Sequence, residues 1–450
     1  MDSQPILRII TFSISAAIFT LQIMWMLIVL PKILRTNFGF AQEDVPLASA
    51  YFYNAHFAGM IVSCFLWPVL NRHLAKRTSL LLGLFTIFVF NTLMSIFTSF
   101  FWFCFFIFMV GVGSNSNSVG KDFIFEFALK PIYRQYALTI KSVFNIICIS
   151  GGPFFGYMLY NYFNEDFTKV LLVISGIFAI VIVLFIFVFF VNYDLKNQLK
   201  LDSFAEEENP IVKEALQTPE EPRGMVQLFK ECFSNSYLRA LMLTYIITNA
   251  FAKSANVIIV IYAETCWEQQ GLGLSIRAMS LISFFSIFPS ILILLQAPFY
   301  VPKNIHYFTF IRTMILLMLI TVISVPSFRD LFGKETVGNP LVYLILSFIF
   351  WSNPKSFSPF LNYLLNSEVK RHERTTLNAS LFFIEIVGAM ITMHCFALIY
   401  KLMLYSDITL KLGVFAKYVT FLLLASLLSI PVLLLKKKIF NPTKKQQITI

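Results

Sequence analysis

Residues 170 to 190 read Val-Leu-Leu-Val-Ile-Ser-Gly-Ile-Phe-Ala-Ile-Val-Ile-Val-Leu-Phe-Ile-Phe-Val-Phe-Phe, without a single charge. A helix needs about 20 consecutive apolar residues to cross the hydrocarbon core of a bilayer. A helix at the surface of a soluble domain would instead show a polar stripe every third or fourth position. This run has none, so it reads as a membrane span.

Eleven more apolar runs lie around it. With their polar breaks, the twelve candidate spans are roughly 9–30, 46–70, 79–97, 100–127, 138–161, 169–192, 238–262, 276–299, 307–326, 340–366, 376–399 and 413–435. The whole-chain composition agrees. Of 450 residues, 58% are hydrophobic and 13% charged, about half the charged share of a soluble protein. Soluble enzymes, secreted domains and disordered regulators are thereby excluded. The expected fold is all-α: a polytopic membrane protein of twelve transmembrane helices in two pseudo-symmetric six-helix bundles. The one long polar stretch, with Glu206, Glu207, Glu208, Pro210, Pro219, Glu220, Glu221 and Pro222, divides the chain six plus six. The expected units are 1–192, a linker at 193–236, and 237–450 ending in a basic tail.

The net charge of +11 orients such a protein rather than binding nucleic acid. Lys and Arg cluster in one set of loops (Arg72, Lys76, Arg77; Lys130, Arg134; Lys370, Arg371, Arg374) and in the tail from Lys436 to Lys445. Both termini and the linker are therefore expected in the cytosol, with the plasma membrane or a vacuolar or endolysosomal membrane both open. The six cysteines form no CxxC pair, and the five histidines include no metal-ligand spacing, so no disulfide framework, metal site or cofactor is expected. His394 and Cys395 read as packing residues.

Ionisable residues inside a membrane are costly and mark pathways or structural pairs. Span two carries His56, span four Lys121 and Asp122, span seven Lys253, span ten Lys355 and span eleven Glu385, whereas spans three, six and twelve carry none in their interiors. By count from the span ends, Lys253, Lys355 and Glu385 fall near the midplane. Glu385 reads either as the partner of one of these lysines or as a carboxylate that takes up a proton or cation. Span four also holds Gly111-Val-Gly-Ser-Asn-Ser-Asn-Ser-Val-Gly120, which suits tight helix packing and equally a solute-facing wall built on Asn115 and Asn117.

Two motifs carry a resemblance. The loop Trp67-Pro-Val-Leu-Asn-Arg-His-Leu-Ala-Lys-Arg-Thr-Ser-Leu-Leu-Leu-Gly83 resembles the loop signature of the major facilitator superfamily, with Lys76 and Arg77 in register. It departs from that pattern at Pro68, Ala75 and Arg72, the last standing where the family has an acid. Span five contains Ser150-Gly-Gly-Pro-Phe-Phe-Gly156, similar to the motif of its drug and proton exchanging branches. Proline removes a backbone hydrogen bond, and the flanking glycines permit a bend and close approach. Gly111, Lys121 and Glu126, the stretch Gly271 to Ser275, Gln296, and Asn366 to Val369 with Arg374 to Asn378 resemble the zinc-induced facilitator-like branch.

The resemblance implies a monomeric secondary transporter for a small organic solute, working by alternating access and coupled to protons. Lys121 and Glu126 match family positions; the depth and polarity of residues within the spans, not the resemblance, put His56, Asn115, Asn117, Asp122, Lys253, Lys355 and Glu385 with Lys121 on the expected solute and proton pathway. Gating and coupling would rest on Lys76, Arg77, Glu126, Gly152, Pro153 and Gly156. No Gly-x-x-x-x-Gly-Lys loop is present to use ATP. The competing reading is a receptor that binds a solute on a transporter scaffold without moving it, a reading that Arg72 favours. An enzyme is not expected.

Overall fold

The computed structural model describes residues 3–41, 44–71, 73–97, 99–114, 123, 131–191, 227, 230, 233–264, 272–292, 294–295, 338–347, 365 and 374–405. Among them every regular element is a helix: α1 (Ser3–Met24), α2 (Leu30–Thr36), α3 (Val45–Leu70), α4 (Lys76–Met94), α5 (Phe100–Ser114), α6 (Pro131–Tyr162), α7 (Phe167–Ile186), α8 (Ser236–Glu264), α9 (Ile276–Phe285), α10 (Gly338–Ser347) and α11 (Arg374–Tyr405). Six of these helices are long and apolar enough to cross a membrane, and Phe100–Ser114 and Ile276–Leu292 are shorter apolar helices. The chain is thus a multi-pass membrane protein.

Most boundaries extend past the apolar runs. α4 starts at Lys76, α6 at Pro131 and α11 at Arg374, each with a polar or basic first turn. Hydropathy marks only the part of a helix in hydrocarbon, and the rest continues into water. The first span differs more. The apolar run to Leu30 is not one helix: α1 stops at Met24, residues 25–29 form a turn, and α2 starts with Pro31 in its first turn. Proline suits that position because its fixed φ fits a helix and no amide is needed there. The turn is nonetheless buried, with Trp25, Ile28 and Val29 fully inaccessible, so composition alone cannot reveal it.

Asn71 to Ala75 turns at one end, where α7 also runs out at Val191 and α8 begins, here named the linker end. The turns at Asn37–Asp44 and Phe163–Asp166 lie at the other, the far end. At the far end Asp166 caps α7. Its Oδ1 accepts the Lys169 amide at 3.3 Å, and its Oδ2 sits 3.1 Å from Lys169 Nζ. The Lys169 side-chain ammonium, hydrogen-bonded to it, and then the Lys169 amide hold the Asp166 carboxyl below its ordinary value. A depressed carboxyl adds stability above its unfolded pKa, and this is lost as pH falls through the folded one. Asp166→Ala is expected to cost about 1 kcal/mol at pH 7, a gap from wild type that closes on acidification, read by thermal unfolding in detergent.

The helices pack as α1 on α6, α3 on α5, α4 on α5 and α7, and α8 on α11. Among the described residues, the first part of the chain meets the second mainly where α3 packs on α11 and α6 on α9, with a smaller contact of α3 with α8. Two hydrophobic clusters result. One contains residues of α1 to α7 together with Ile259–Ala263, Leu272, Met279, Ile386, Ala389 and Met393. The other contains only second-part residues nearer the linker end: Leu238, Leu241, Met242, Tyr245 and Ile246 of α8 with Leu365, Leu377 and Leu381. Among the described residues, the core that the two parts share lies toward the far end.

Candidate functional site

Gly111 and Gly113 of span four pack helices. A Cβ on Gly111 would fall on the His56 carbonyl oxygen, and one on Gly59 would fall on the Phe108 carbonyl oxygen, so α3 and α5 cross backbone to backbone. Gly113 does the same toward α4, its Cβ position 2.9 Å from the Gly83 carbonyl oxygen. Trp67 Nε1 donates to the Val112 carbonyl at 2.8 Å across the same seam. His56 belongs to this crossing. It is 3% exposed, and its Nδ1 lies 3.4 Å from the Ile107 carbonyl oxygen, so its ring is turned toward α5.

The span-five motif sits between α1 and the second part of the chain. Gly152 packs on Met24 Cβ, and a Cβ on Gly156 would meet the Trp25 carbonyl. Gly151, one residue away, faces Ile287 at 3.6 Å, and Phe154 meets Phe284 of α9 at 5.1 Å between centroids. Pro153 lies inside the helix between these contacts. Thus one turn of α6 touches α1 on one side and α9 on another. On the α1-facing stripe, Asn145 pairs with Thr20 at 2.5 Å, and Lys141 Nζ stands 5.8 Å from the centroid of Phe12. Lys141 is a charge within span five that a count of midplane ions passes over, although the sequence shows it plainly.

Amides also escaped a reading built on charges. Gln22 of α1 donates to Asn91 of α4 at 2.5 Å, and Asn91 donates to Ser175 Oγ at 2.8 Å and to the Leu171 carbonyl at 3.2 Å on α7. All three side chains are buried. Buried amides that satisfy one another fix how helices meet, and this knot holds α1, α4 and α7 in register.

In the second part, Glu385 is 2% exposed and is the one buried carboxylate among the described residues. It lies 11 residues into the 32-residue α11, about 16 Å along its axis. At about 100° per residue, it is roughly opposite Phe383 and His394, which meet Phe65 and Tyr51 of α3. It flanks the face of Leu381 and Gly388, and Gly388 packs on Ala250 of α8 at 3.4 Å. By this periodicity, position 385 lies on the side of α11 roughly opposite the residues that meet α3. The backbone of Lys253 is one turn farther along α8 than Ala250, and Glu385 is one turn back from Gly388, a step of about 9 Å along the bundle. On α9 and just beyond it, Ser280, Ser283, Ser286 and Ser290 of span eight are fully buried, with Ser283 Oγ 3.4 Å from Tyr343 Oη of α10.

At the far end, α2 holds two ion pairs. Lys32 pairs with Glu165 of the α6–α7 turn, and Arg35 pairs with Glu264 at the end of α8. Burial pushes the Glu264 carboxyl above its ordinary value, and Arg35 pulls it back down. At the linker end, Arg77 donates to the Phe189 carbonyl at 3.4 Å and lies 5.1 Å from the centroid of Phe190. That carbonyl belongs to the wide turn Phe187–Val191 closing α7. Asn115, Asn117, Lys121, Asp122, Glu126 and Lys355 lie outside the described residues, as does the Lys253 side chain.

A family model described as Major Facilitator Superfamily matches residues 12–393. The fold is similar to that of the human organic anion transporter MFSD10 (TETRAN), with a TM-score of 0.65 at 14% identity, covering 97% of this chain and 100% of that one. It is also similar to a D-xylose-proton symporter, with a TM-score of 0.64 at 13% identity, covering 96% and 97%. No curated protein matches the sequence. The twelve spans counted along the sequence agree with the architecture of these structures.

Proposed function

This chain belongs to the major facilitator superfamily, and we propose that it moves a small organic solute by alternating access, with protons as the coupled ion. The observation that carries the reading is Glu385. A carboxylate sealed inside a transmembrane bundle is held there at a cost, and reversible protonation is the work such a group can do. Support comes from the structural neighbours, one an organic anion transporter and one a proton symporter. Lys141 and Lys253, cations within spans, favour a solute with a carboxylate or other anionic group. The linker and both termini are assigned to the cytosol from the Lys and Arg bias of the loops. The halves 1–192 and 237–450 act as the two rocking bodies of a monomer, and Gly152, Pro153 and Gly156 form the bend between α1 and α9.

The test is proton flux in sealed proteoliposomes with an internal pH dye, challenged with organic acids, metal chelates, amines and sugars. A solute-triggered proton signal, largest for the acids, is the expected result. Silence across the panel together with solute-induced thermal stabilisation would replace the carrier with a receptor on the same scaffold.

A further inference from the structure

The sequence places a gate at the linker end, in the loop of Lys76 and Arg77. Among the described residues, an ion pair joins the two parts of the chain at the opposite end. Arg35, on the short helix after the first span, and Glu264, at the tip of the seventh, are 229 residues apart and form an ion pair. Arg35 is 34% and Glu264 15% exposed at the side chain, so the pair is screened from solvent mainly on the Glu264 side.

Three surrounding features hold it in place. Arg35 Nε donates to the Pro31 carbonyl at 3.3 Å, which fixes the guanidinium against its own helix. Lys32, one turn away, ties α2 to Glu165, and Asn164 and Glu165 both adopt positive φ, 51° and 67°. Left-handed backbone costs a non-glycine residue about 1 to 2 kcal/mol, so this turn is kept by its surroundings. Leu272 and Leu274, ahead of α9, are tied to the end of α8, their amides donating to the Tyr262 and Ala263 carbonyls at 3.1 and 2.9 Å. Beneath the pair lie Ile33, Leu34, Ile259 and Ala263, all inaccessible and all in the cluster that the two parts share. At the linker end, α8 and α11 instead contribute to a cluster of their own.

We propose that the Arg35–Glu264 pair is the far-side gate of the transport cycle, closed in the state described, and that its breakage lets the far-side seam part. The proposal rests on the carrier reading above and adds the residues that set its conformational balance. Removing Arg35 leaves Glu264 facing an apolar seam with its main counter-charge gone, which favours the arrangement that returns it to water. Neutralising Glu264 leaves Arg35 near enough the surface to hydrate, so its effect is the smaller of the two. The alternative is a static brace, whose loss lowers folded yield and changes no conformational balance.

The reporter is Ala263→Cys in the full chain, fully buried in the closed state, labelled in detergent with a hydrophilic maleimide and compared with the parent chain. Arg35→Ala is expected to label about tenfold faster than the reporter alone, equivalent to about 1.4 kcal/mol in the opening equilibrium. Glu264→Gln should raise the rate less, and the swap R35E with E264R should restore slow labelling. Rates within about twofold of the reporter in both single variants, or a swap as fast as the singles, would overturn the gate. If Arg35→Ala does not fold, Glu264→Gln and the swap decide the question. Should the wild type move no solute in the flux assay, the carrier reading falls, while the labelling series still shows whether this pair governs opening.

Discussion

Gly111→Leu is expected to deplete folded protein in detergent extracts and to destabilise what remains by about 3 kcal/mol, the upper end of the usual cost of overpacking. A side chain at position 111 has no space: its first carbon falls on the His56 carbonyl oxygen. Backbone cannot yield as a flexible side chain can, so α3 and α5 must separate. Separation exposes the reciprocal contact of Gly59 with the Phe108 carbonyl and lengthens the Trp67 to Val112 hydrogen bond. Without a hydrophobic driving force inside lipid, close packing of this kind is what holds helices together. Gly176→Leu is the matched control, because nothing lies within 4 Å of its Cβ position. Thermal unfolding of both variants should show a large loss for the first and little change for the second. Equal melting temperatures would mean that the crossing is not held by glycine.

Glu385→Gln is expected to lower pH-gradient-driven uptake by about tenfold or more, with the chain still monodisperse and exchange of labelled for unlabelled solute retained. Glutamine has the shape of a protonated glutamate and fits a site that is 2% exposed. It cannot take a charge, so it locks the site in one protonation state. Coupling then fails while binding and rocking persist. Unchanged gradient-driven uptake in this variant would leave Glu385 as a packing residue. Loss of gradient-driven uptake and exchange together, with folding intact, would instead make it part of the solute site.

The sequence shows the spans because hydropathy is a local property, and Val170 to Phe190 needs no partner to be recognised. Glu385 is legible for a related reason: one acid in an apolar run is conspicuous wherever its neighbours are. What escapes is whatever depends on two distant segments meeting. Arg35 and Glu264 each read as an ordinary charge at the end of a span, and no local pattern links them. Gly111 is marked for close packing by the run of small residues it opens, but Gly59, its counterpart on α3, looks like any small residue until the helices cross. The break at Met24 is hidden because the turn that follows is as apolar as a helix. The Gln22, Asn91 and Ser175 knot left a signal, amides within apolar runs, that counting charges overlooks.

The core shared at the far end also bears on how the chain is made. Arg35 leaves the ribosome 229 residues ahead of Glu264, roughly 10 to 50 s at a synthesis rate of about 5 to 20 residues per second. For that interval Ile33 and Leu34 have no Ile259 or Ala263 to cover them. The first half of the protein enters the bilayer as an unfinished body, its inner face turned to lipid or to the insertion machinery, and its biogenesis is complete only when the seventh span arrives.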